Sequence, residues 1–142
     1  MYLYLDTSAL VKLAIDEPDT AAVESAIAHC EAAFSSRLAV VECTRAIGRV
    51  LDRNALMTLD EIFEALVLHE VNEAVLAKAA ALTPSSLRSL DAIHLATALL
   101  LEPSNLGFVT YDDKLARAAE AQGLSVLQPR RPSATRRRPS RA

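Results

Sequence analysis

Four acidic residues stand where a carboxylate could do chemistry: Asp6, Glu42, Asp91 and Asp112. Asp6 follows the β-prone run Tyr2 to Leu5, and Asp112 follows a second such run, Phe108 to Tyr111. Asp91 begins a helical segment and Glu42 lies inside one. Two carboxylates about 5 Å apart repel by roughly 3 kcal/mol at an effective dielectric near 20. A cluster of the four would therefore bind protons or recruit cations, and hard oxygen ligands favour Mg²⁺ or Mn²⁺.

Each acid taken alone has a simpler explanation. Asp6 and Asp112 could cap the helices that follow them, and the helix dipole favours an acid at Asp91. Glu42 could pair with Arg45 at i+3 on a solvated helix face, a contact worth about 0.2 to 0.5 kcal/mol. The joint pattern favours a shared site, because acids at strand ends and helix starts of consecutive α/β units converge on one crevice.

Other chemistries fit the sequence less well. The only glycines are Gly48, Gly107 and Gly123, so there is neither a glycine-rich phosphate loop nor a dinucleotide fingerprint. The three histidines lack zinc spacing, and no Gly-x-Ser-x-Gly elbow occurs. A phosphatase or phosphoacceptor is disfavoured because Asp6 lacks a second acid two residues later. His94, three residues after Asp91, could touch the site or be a buried, satisfied histidine.

The segments that must position these acids alternate between strand and helix. Predicted strands are Tyr2 to Leu5, Phe34 to Ser36, Val67 to Glu70, Gly107 to Tyr111 and Ser125 to Leu127. Predicted helices are Ser8 to Leu13, Pro18 to about Ala33, Leu38 to Leu51, Leu59 to Leu66, Asn72 to Leu82, Asp91 to Leu101 and Asp113 to Gln122. This order predicts an α/β fold: a parallel sheet with helices on both faces and ligand groups at the carboxyl ends of the strands.

Length and charge divide the 142 residues into one domain, residues 1–128, and a tail, residues 129–142. Residues 1 to 129 contain nine basic and eighteen acidic residues, a net charge of −9, whereas six arginines follow from Arg130 onwards. The Arg-, Pro- and Ser-rich tail cannot bury enough apolar surface to fold, so we expect it to be disordered. It is either a passive extension or a source of salt-sensitive affinity for RNA.

The expected location is the cytoplasm. Cys30 and Cys43 have no metal-type spacing and are interpreted as small core residues in a reducing compartment. The N-terminus reaches Asp6 without a basic region and a long apolar stretch, and no segment is long enough to span a bilayer. No membrane partner is therefore expected.

Four local motifs, in this order and spacing, resemble those of PIN-domain endoribonucleases, specifically the VapC-type toxins of bacterial toxin–antitoxin pairs. The motifs are Leu5-Asp-Thr-Ser-Ala-Leu, Val41-Glu42, Leu90-Asp-Ala-Ile-His-Leu-Ala-Thr-Ala, and Val109-Thr-Tyr-Asp112 with Lys114-Leu after it. The resemblance reaches about residue 128 and implies a single α/β/α sandwich of PIN type. It also implies that Asp6, Glu42, Asp91 and Asp112 hold one or two Mg²⁺ or Mn²⁺ ions, which activate water for attack on an RNA phosphodiester and stabilise the leaving oxygen.

The same resemblance implies further residues and partners. Ser8 and Thr110 match supporting hydroxyl positions, and Asp113 is a substitute ligand if Asp112 points away. The implied partners are RNA, a VapB-like antitoxin whose C-terminal segment covers the active site, and a second copy of the toxin. Two features differ from the family pattern: the segment Asn54 to Leu66, between the middle helices, is shorter than in the family, and the arginine-rich tail is an addition to it. The alternative is a catalytically silent PIN module that binds RNA or protein.

Overall fold

Five parallel strands form the central sheet: β1 (Tyr2–Leu5), β2 (Ala33–Ser36), β3 (Val67–His69), β4 (Leu106–Val109) and β5 (Ser125–Leu127). The structure is a computed structural model that describes residues 1–50 and 52–132. The strand order is β3-β2-β1-β4-β5, and every neighbouring pair is parallel. The predicted parallel sheet is therefore confirmed.

The helices are α1 (Thr7–Ala14), α2 (Thr20–Ala28), α3 (Leu38–Gly48), α4 (Arg53–Ala65), α5 (Glu73–Ala81), α6 (Ser89–Leu99) and α7 (Asp113–Ala121). Two bounds differ from the sequence-based prediction by more than three residues. Helix α2 was expected to reach about Ala33, but Ala33 pairs with Leu3 in the sheet and so begins β2. Helix α4 begins earlier than Leu59, because the Asp52 side chain caps it by accepting from the N–H of Ala55 at 3.0 Å.

Alternation along β1 separates the two layers of helices. Leu3 and Leu5 pack into a core with residues of helices α1 to α4, whereas Tyr4 points to the other face and packs with residues of α5, α6 and α7. Successive residues of a strand face opposite sides, so one strand serves both cores. The predicted helices on both faces are confirmed.

The strand order reverses direction between β1 and β4. From β1 the chain proceeds outward to β2 and β3, whereas β4 is followed by β5 on the other side. A crevice opens at the carboxyl ends of strands where the order diverges in this way. The two strands end level, because Leu5 is in register with Val109 and the N–H of Asp6 donates to the Val109 carbonyl at 3.2 Å. Asp6 and Thr110 therefore stand side by side at the carboxyl ends of β1 and β4, where the crevice opens.

The chain returns along the same edge after β5. The Tyr111 hydroxyl donates to the Pro129 carbonyl, and the N–H of Arg131 donates to the Asp19 carboxylate at 2.8 Å. Residues 133–142, which make up most of the tail expected to be disordered, lie outside the described residues. Within the described part of the chain, every helix is too short or too polar to cross a bilayer.

Candidate functional site

A cavity of about 370 Å³ opens at the carboxyl ends of β1 and β4, and all four sequence-predicted acids line it. The lining includes Asp6, Glu42, Asp91 and Asp112 together with Thr7, Ser8, Arg88 and His94. Asp113 lies elsewhere, in the wall of a neighbouring cavity of about 780 Å³. The fold thus gathers four carboxylates from four separate segments into one place.

Asp6 is held at the floor of the cavity and is only 3% exposed. One carboxylate oxygen accepts from the N–H of Ala9 at 3.0 Å, which caps α1, and from the Ser8 hydroxyl at 2.6 Å. The other oxygen accepts from the Thr110 hydroxyl at 2.6 Å. Burial raises the pKa of Asp6 above its ordinary value, although these hydrogen bonds oppose the shift. Asp6 therefore caps α1 and lines the cavity at the same time.

The hydroxyls of Ser8 and Thr110 tie the ends of the two central strands together. Ser8 also accepts from the N–H of Tyr111 at 2.9 Å, and Thr110 accepts from the N–H of Asp112 at 3.1 Å. Asp112 in turn caps α7 by accepting from the N–H of Leu115 at 2.9 Å. Both hydroxyls are fully engaged within the protein, so they orient the carboxylates on either side of them.

Glu42 reaches the cavity from α3, with its side chain 20% exposed. Its Oε1 accepts from the Thr7 hydroxyl at 2.7 Å and lies 2.7 Å from Nε2 of His94. Burial raises the pKa of Glu42, but the hydrogen bonds from His94 and Thr7 and nearby positive charge outweigh it, so the pKa lies below its ordinary value. The contact with Arg45, the simpler explanation of Glu42, is replaced by these two bonds.

His94 is a buried residue that links Glu42 to Tyr4, and the sequence predicted only part of this role. It is 1% exposed, and its Nδ1 lies 2.8 Å from the hydroxyl of Tyr4. A neutral ring satisfies both contacts if Nδ1 accepts from Tyr4 and Nε2–H donates to Glu42. The spacing from Asp91 indicated that His94 could reach the site. No pattern indicated Tyr4, an apolar-looking strand residue, or the bond from Thr7.

Arg88 also lines the cavity and contacts the two remaining acids. Its Nε donates to Asp91 and its Nη2 to Asp112, both at 3.2 Å, while its side chain remains 77% exposed. Burial raises the pKa of Asp91, Arg88 opposes that shift and Asp112 adds to it, and the pKa stays above its ordinary value. One guanidinium, with a single positive charge, therefore bridges two of the four acids.

The oxygen atoms of the four acids suit a hard divalent cation, although in this structure the side chains do not converge on a single ion position. Among the described residues, no three His, Cys, Asp or Glu side chains lie close enough as placed to hold one ion. All four acids nevertheless present oxygen ligands to one cavity, and the positive charge of Arg88 already sits between two of them. Oxygen donors of this kind suit Mg²⁺ or Mn²⁺.

The sequence matches one protein family and several of its members. Residues 3–121 match the family model described as PIN domain. Ribonuclease VapC46 of Mycobacterium tuberculosis is 40% identical over 133 residues, which cover 89% of this chain and 97% of that protein. Ribonuclease VapC47 of the same species is 34% identical over 131 residues, which cover 89% of this chain and 96% of that protein.

Solved structures share the fold at low sequence identity. The chain superposes on Mycobacterium tuberculosis VapC20, described as a Sarcin-Ricin loop cleaving toxin, with a TM-score of 0.68 and 14% identity over 89% of this chain and 99% of that one. VapBC2 from Rickettsia felis, bound to a DNA fragment from their promoter, gives a TM-score of 0.67 and 14% identity over 89% of this chain and 98% of that one. At such identities the likeness shows the fold alone.

Proposed function

Because the chain belongs to the PIN-domain family, we propose that it is a metal-dependent endoribonuclease, a VapC-type toxin that cuts RNA phosphodiester bonds. The observation that carries the proposal is the meeting of Asp6, Glu42, Asp91 and Asp112 in one cavity. Curated relatives that are 31% to 40% identical are named ribonucleases, and the match covers 93% to 97% of their length.

The four carboxylates are the proposed ligands. A Mg²⁺ or Mn²⁺ ion held by them would supply the positive charge that activates a water molecule and stabilises the leaving oxygen of the phosphodiester. Ser8 and Thr110 hold Asp6 through both of its oxygens, so its carboxylate cannot rotate away. His94 and Thr7 hold Glu42 through one of its oxygens, Oε1. Such outer hydrogen bonds typically contribute 10- to 100-fold in metal affinity or activity, as an order of magnitude.

Cleavage of RNA by the purified, partner-free protein tests the proposal. We expect cleavage with Mg²⁺ or Mn²⁺ and none in EDTA. Asp6→Asn removes a ligand rather than an outer bond, so it should reduce the rate by more than roughly 100-fold. Asp60→Asn is the matched control, because Asp60 is an exposed carboxylate of α4 outside the cavity.

Two results would contradict the proposal. Cleavage that survives both EDTA and Asp6→Asn would show that the acid cluster is not the catalytic centre. Metal-independent RNA binding without turnover, over varied RNA substrates, would instead identify a silent binding module. A comparison of Mg²⁺ with Mn²⁺ at matched concentrations also shows which ion supports turnover.

The proposed partners are a VapB-like antitoxin and a second copy of the chain. Two exposed apolar side chains are next in sequence to acids of the cavity: Leu90, which lines the cavity beside Asp91, is 47% exposed, and Val41, which precedes Glu42 in α3, is 58% exposed. An apolar antitoxin segment lying across the cavity would bury both. Co-expression with its VapB-like antitoxin should abolish toxicity in a bacterial host. Size-exclusion chromatography with light scattering gives the number of copies.

The proposed substrate also bears on location. RNA and free cysteines, Cys30 and Cys43, are both consistent with the cytoplasm. Fractionation of a tagged protein tests this part of the proposal, and recovery outside the cytoplasmic fraction would refute it.

A further inference from the structure

Arg88 occupies an unusual position for a surface arginine. It bonds Asp91 and Asp112 with different nitrogens of one guanidinium, so it lies between two of the four acids of the cavity. Among the described residues that line this cavity, it is the one lysine or arginine. Asp6 and Glu42, by contrast, are held by hydroxyls and His94. A positive charge thus stands at the part of the cluster where the acids have the least support from other donors.

The contacts of Arg88 are of the kind that exchange readily. Its side chain is 77% exposed, and ion pairs that remain in water contribute little to stability. Its backbone is fixed independently, because the Arg88 carbonyl accepts from the N–H of Ala92 at 2.9 Å in the first turn of α6. The guanidinium can therefore leave both acids by rotation of its side chain, without any change in the helix.

A second cavity gives the released guanidinium somewhere to go. Arg88, Asp91 and Asp112 line both the catalytic cavity and the neighbouring one of about 780 Å³. The wall of that second cavity also contains Lys114 and Arg117. A guanidinium suits a phosphate as well as it suits a carboxylate, because both offer paired oxygens to its fork of N–H groups. An RNA strand passing from one cavity to the other would meet Arg88 at their common border.

We propose that Arg88 is an exchangeable internal cation: it holds Asp91 and Asp112 in the metal-free protein, yields them to the divalent ion, and then binds a phosphate of the RNA substrate. The second half of this role rests on the proposed ribonuclease function. Arg88 opposes the metal by competing for two of its ligands, and it favours the substrate by adding a phosphate contact. Its replacement should therefore change the affinities for metal and for RNA in opposite directions.

Isothermal titration calorimetry with Mn²⁺ alone tests the first half, and it needs neither RNA nor turnover. Arg88→Gln should bind Mn²⁺ roughly three- to tenfold more tightly than the wild type, because no ion pairs have to be broken. Arg88→Lys keeps the charge and should stay within about twofold of the wild type. Arg37→Gln is the matched control, since Arg37 also bonds a carboxylate through Nε, that of Glu70 at 2.6 Å, outside the cavity.

Steady-state cleavage of a single-stranded RNA of mixed sequence, at saturating Mn²⁺ for each variant, tests the second half. Arg88→Gln should lower kcat/KM roughly tenfold, mainly by raising KM. The slope of log kcat/KM against log salt should become shallower by about 0.7, the value for one lost phosphate contact on a single strand. Arg88→Lys should keep the steeper slope. Melting curves establish that each variant is folded.

The calorimetry and the cleavage assay can each overturn one half of the proposal independently. Unchanged or weaker Mn²⁺ binding by Arg88→Gln overturns the competition, because Arg88 would then merely hold Asp91 and Asp112 in place for the ion. Tighter Mn²⁺ binding with an unchanged salt slope overturns the phosphate contact. If the wild type cleaves no RNA at all, the proposed function is wrong, while the calorimetry still decides whether Arg88 competes with the ion.

Discussion

The hydroxyl of Tyr4 is the remotest part of the chain of hydrogen bonds that holds Glu42, and Tyr4→Phe removes that hydroxyl alone. The ring should stay in place, because it stacks on Phe108 with centroids 5.3 Å apart and planes 3° from parallel. The loss leaves Nδ1 of His94 without its partner at a residue that is 1% exposed. An unsatisfied buried acceptor costs about 1 to 3 kcal/mol.

This loss translates into measurable shifts. At roughly 4 °C per kcal/mol for a domain of this size, the melting temperature should fall by about 4 to 12 °C. Glu42 loses orientation only indirectly, so the affinity for Mn²⁺ should fall by no more than about tenfold. Differential scanning calorimetry and titration with Mn²⁺ measure the two effects. Nitrogen NMR of His94 in the wild type should show the proton on Nε2.

Tyr2→Phe is the control for Tyr4→Phe, because it removes the same atom from the surface hydroxyl beside Glu31. We expect it to leave both the melting temperature and the Mn²⁺ affinity close to those of the wild type. An equal loss of stability in the two variants, or a proton on Nδ1 of wild-type His94 with or without one on Nε2, would refute the assignment of Tyr4 as donor to His94.

The remaining predictions concern charge and packing. The pKa of Asp6 is raised, so in EDTA its ionisation destabilises the fold: the contribution of Asp6 to stability is greatest below the ordinary pKa of about 4 and is lost as pH rises through the raised pKa. Asp6→Asn should flatten this part of the stability–pH curve, and it should stabilise the metal-free protein at pH 7 relative to the control Asp60→Asn. Thermal melts from pH 4 to 8 measure both effects. A curve unchanged by Asp6→Asn would contradict the burial of a charged carboxylate at this position. Gly107→Ala should destabilise by about 1 kcal/mol, because its Cβ would lie 2.8 Å from a methyl of Leu127 and 3.1 Å from one of Leu3. In Gly48→Ala the new Cβ would have no neighbour within 4 Å, so the substitution in α3 should stabilise the protein by up to about 1 kcal/mol. Urea unfolding measures both changes in the free energy of unfolding, and changes of the same sign in Gly107→Ala and Gly48→Ala would contradict this reasoning.

Patterns along the chain predicted the elements because each pattern reports a local preference. Asn72 and Gly123 illustrate this: Asn72 accepts from the N–H of Val75 at 2.9 Å to cap α5, and Gly123 has the positive φ of 87° that favours glycine after a helix. The predicted end of α2 was wrong because β2 begins at Ala33 through pairing with β1, which is far away in sequence.

The candidate site shows the same division. The positions of Asp6 and Asp112 after β-prone runs were enough to place both at one edge of a parallel sheet. The partner of Glu42 was not predictable: an i+3 arginine is a local candidate, whereas His94 is 52 positions away and became its neighbour only when α3 and α6 reached the same edge. Tyr4 was hidden for a similar reason, since its hydroxyl matters only because His94 is packed above it.

The sequence by itself determined the alternation of strands and helices, the acidic residues at their ends and the family motifs, because these depend on residue types within a few positions of one another. The tertiary structure alone decided which groups meet: that Ser8 and Thr110 clamp Asp6, that His94 holds Glu42, and that Arg88 lies between Asp91 and Asp112. Hydrogen bonds and ion pairs act over about 3 Å, a distance that the spacing of residues along a chain does not specify until the strands are ordered in the sheet.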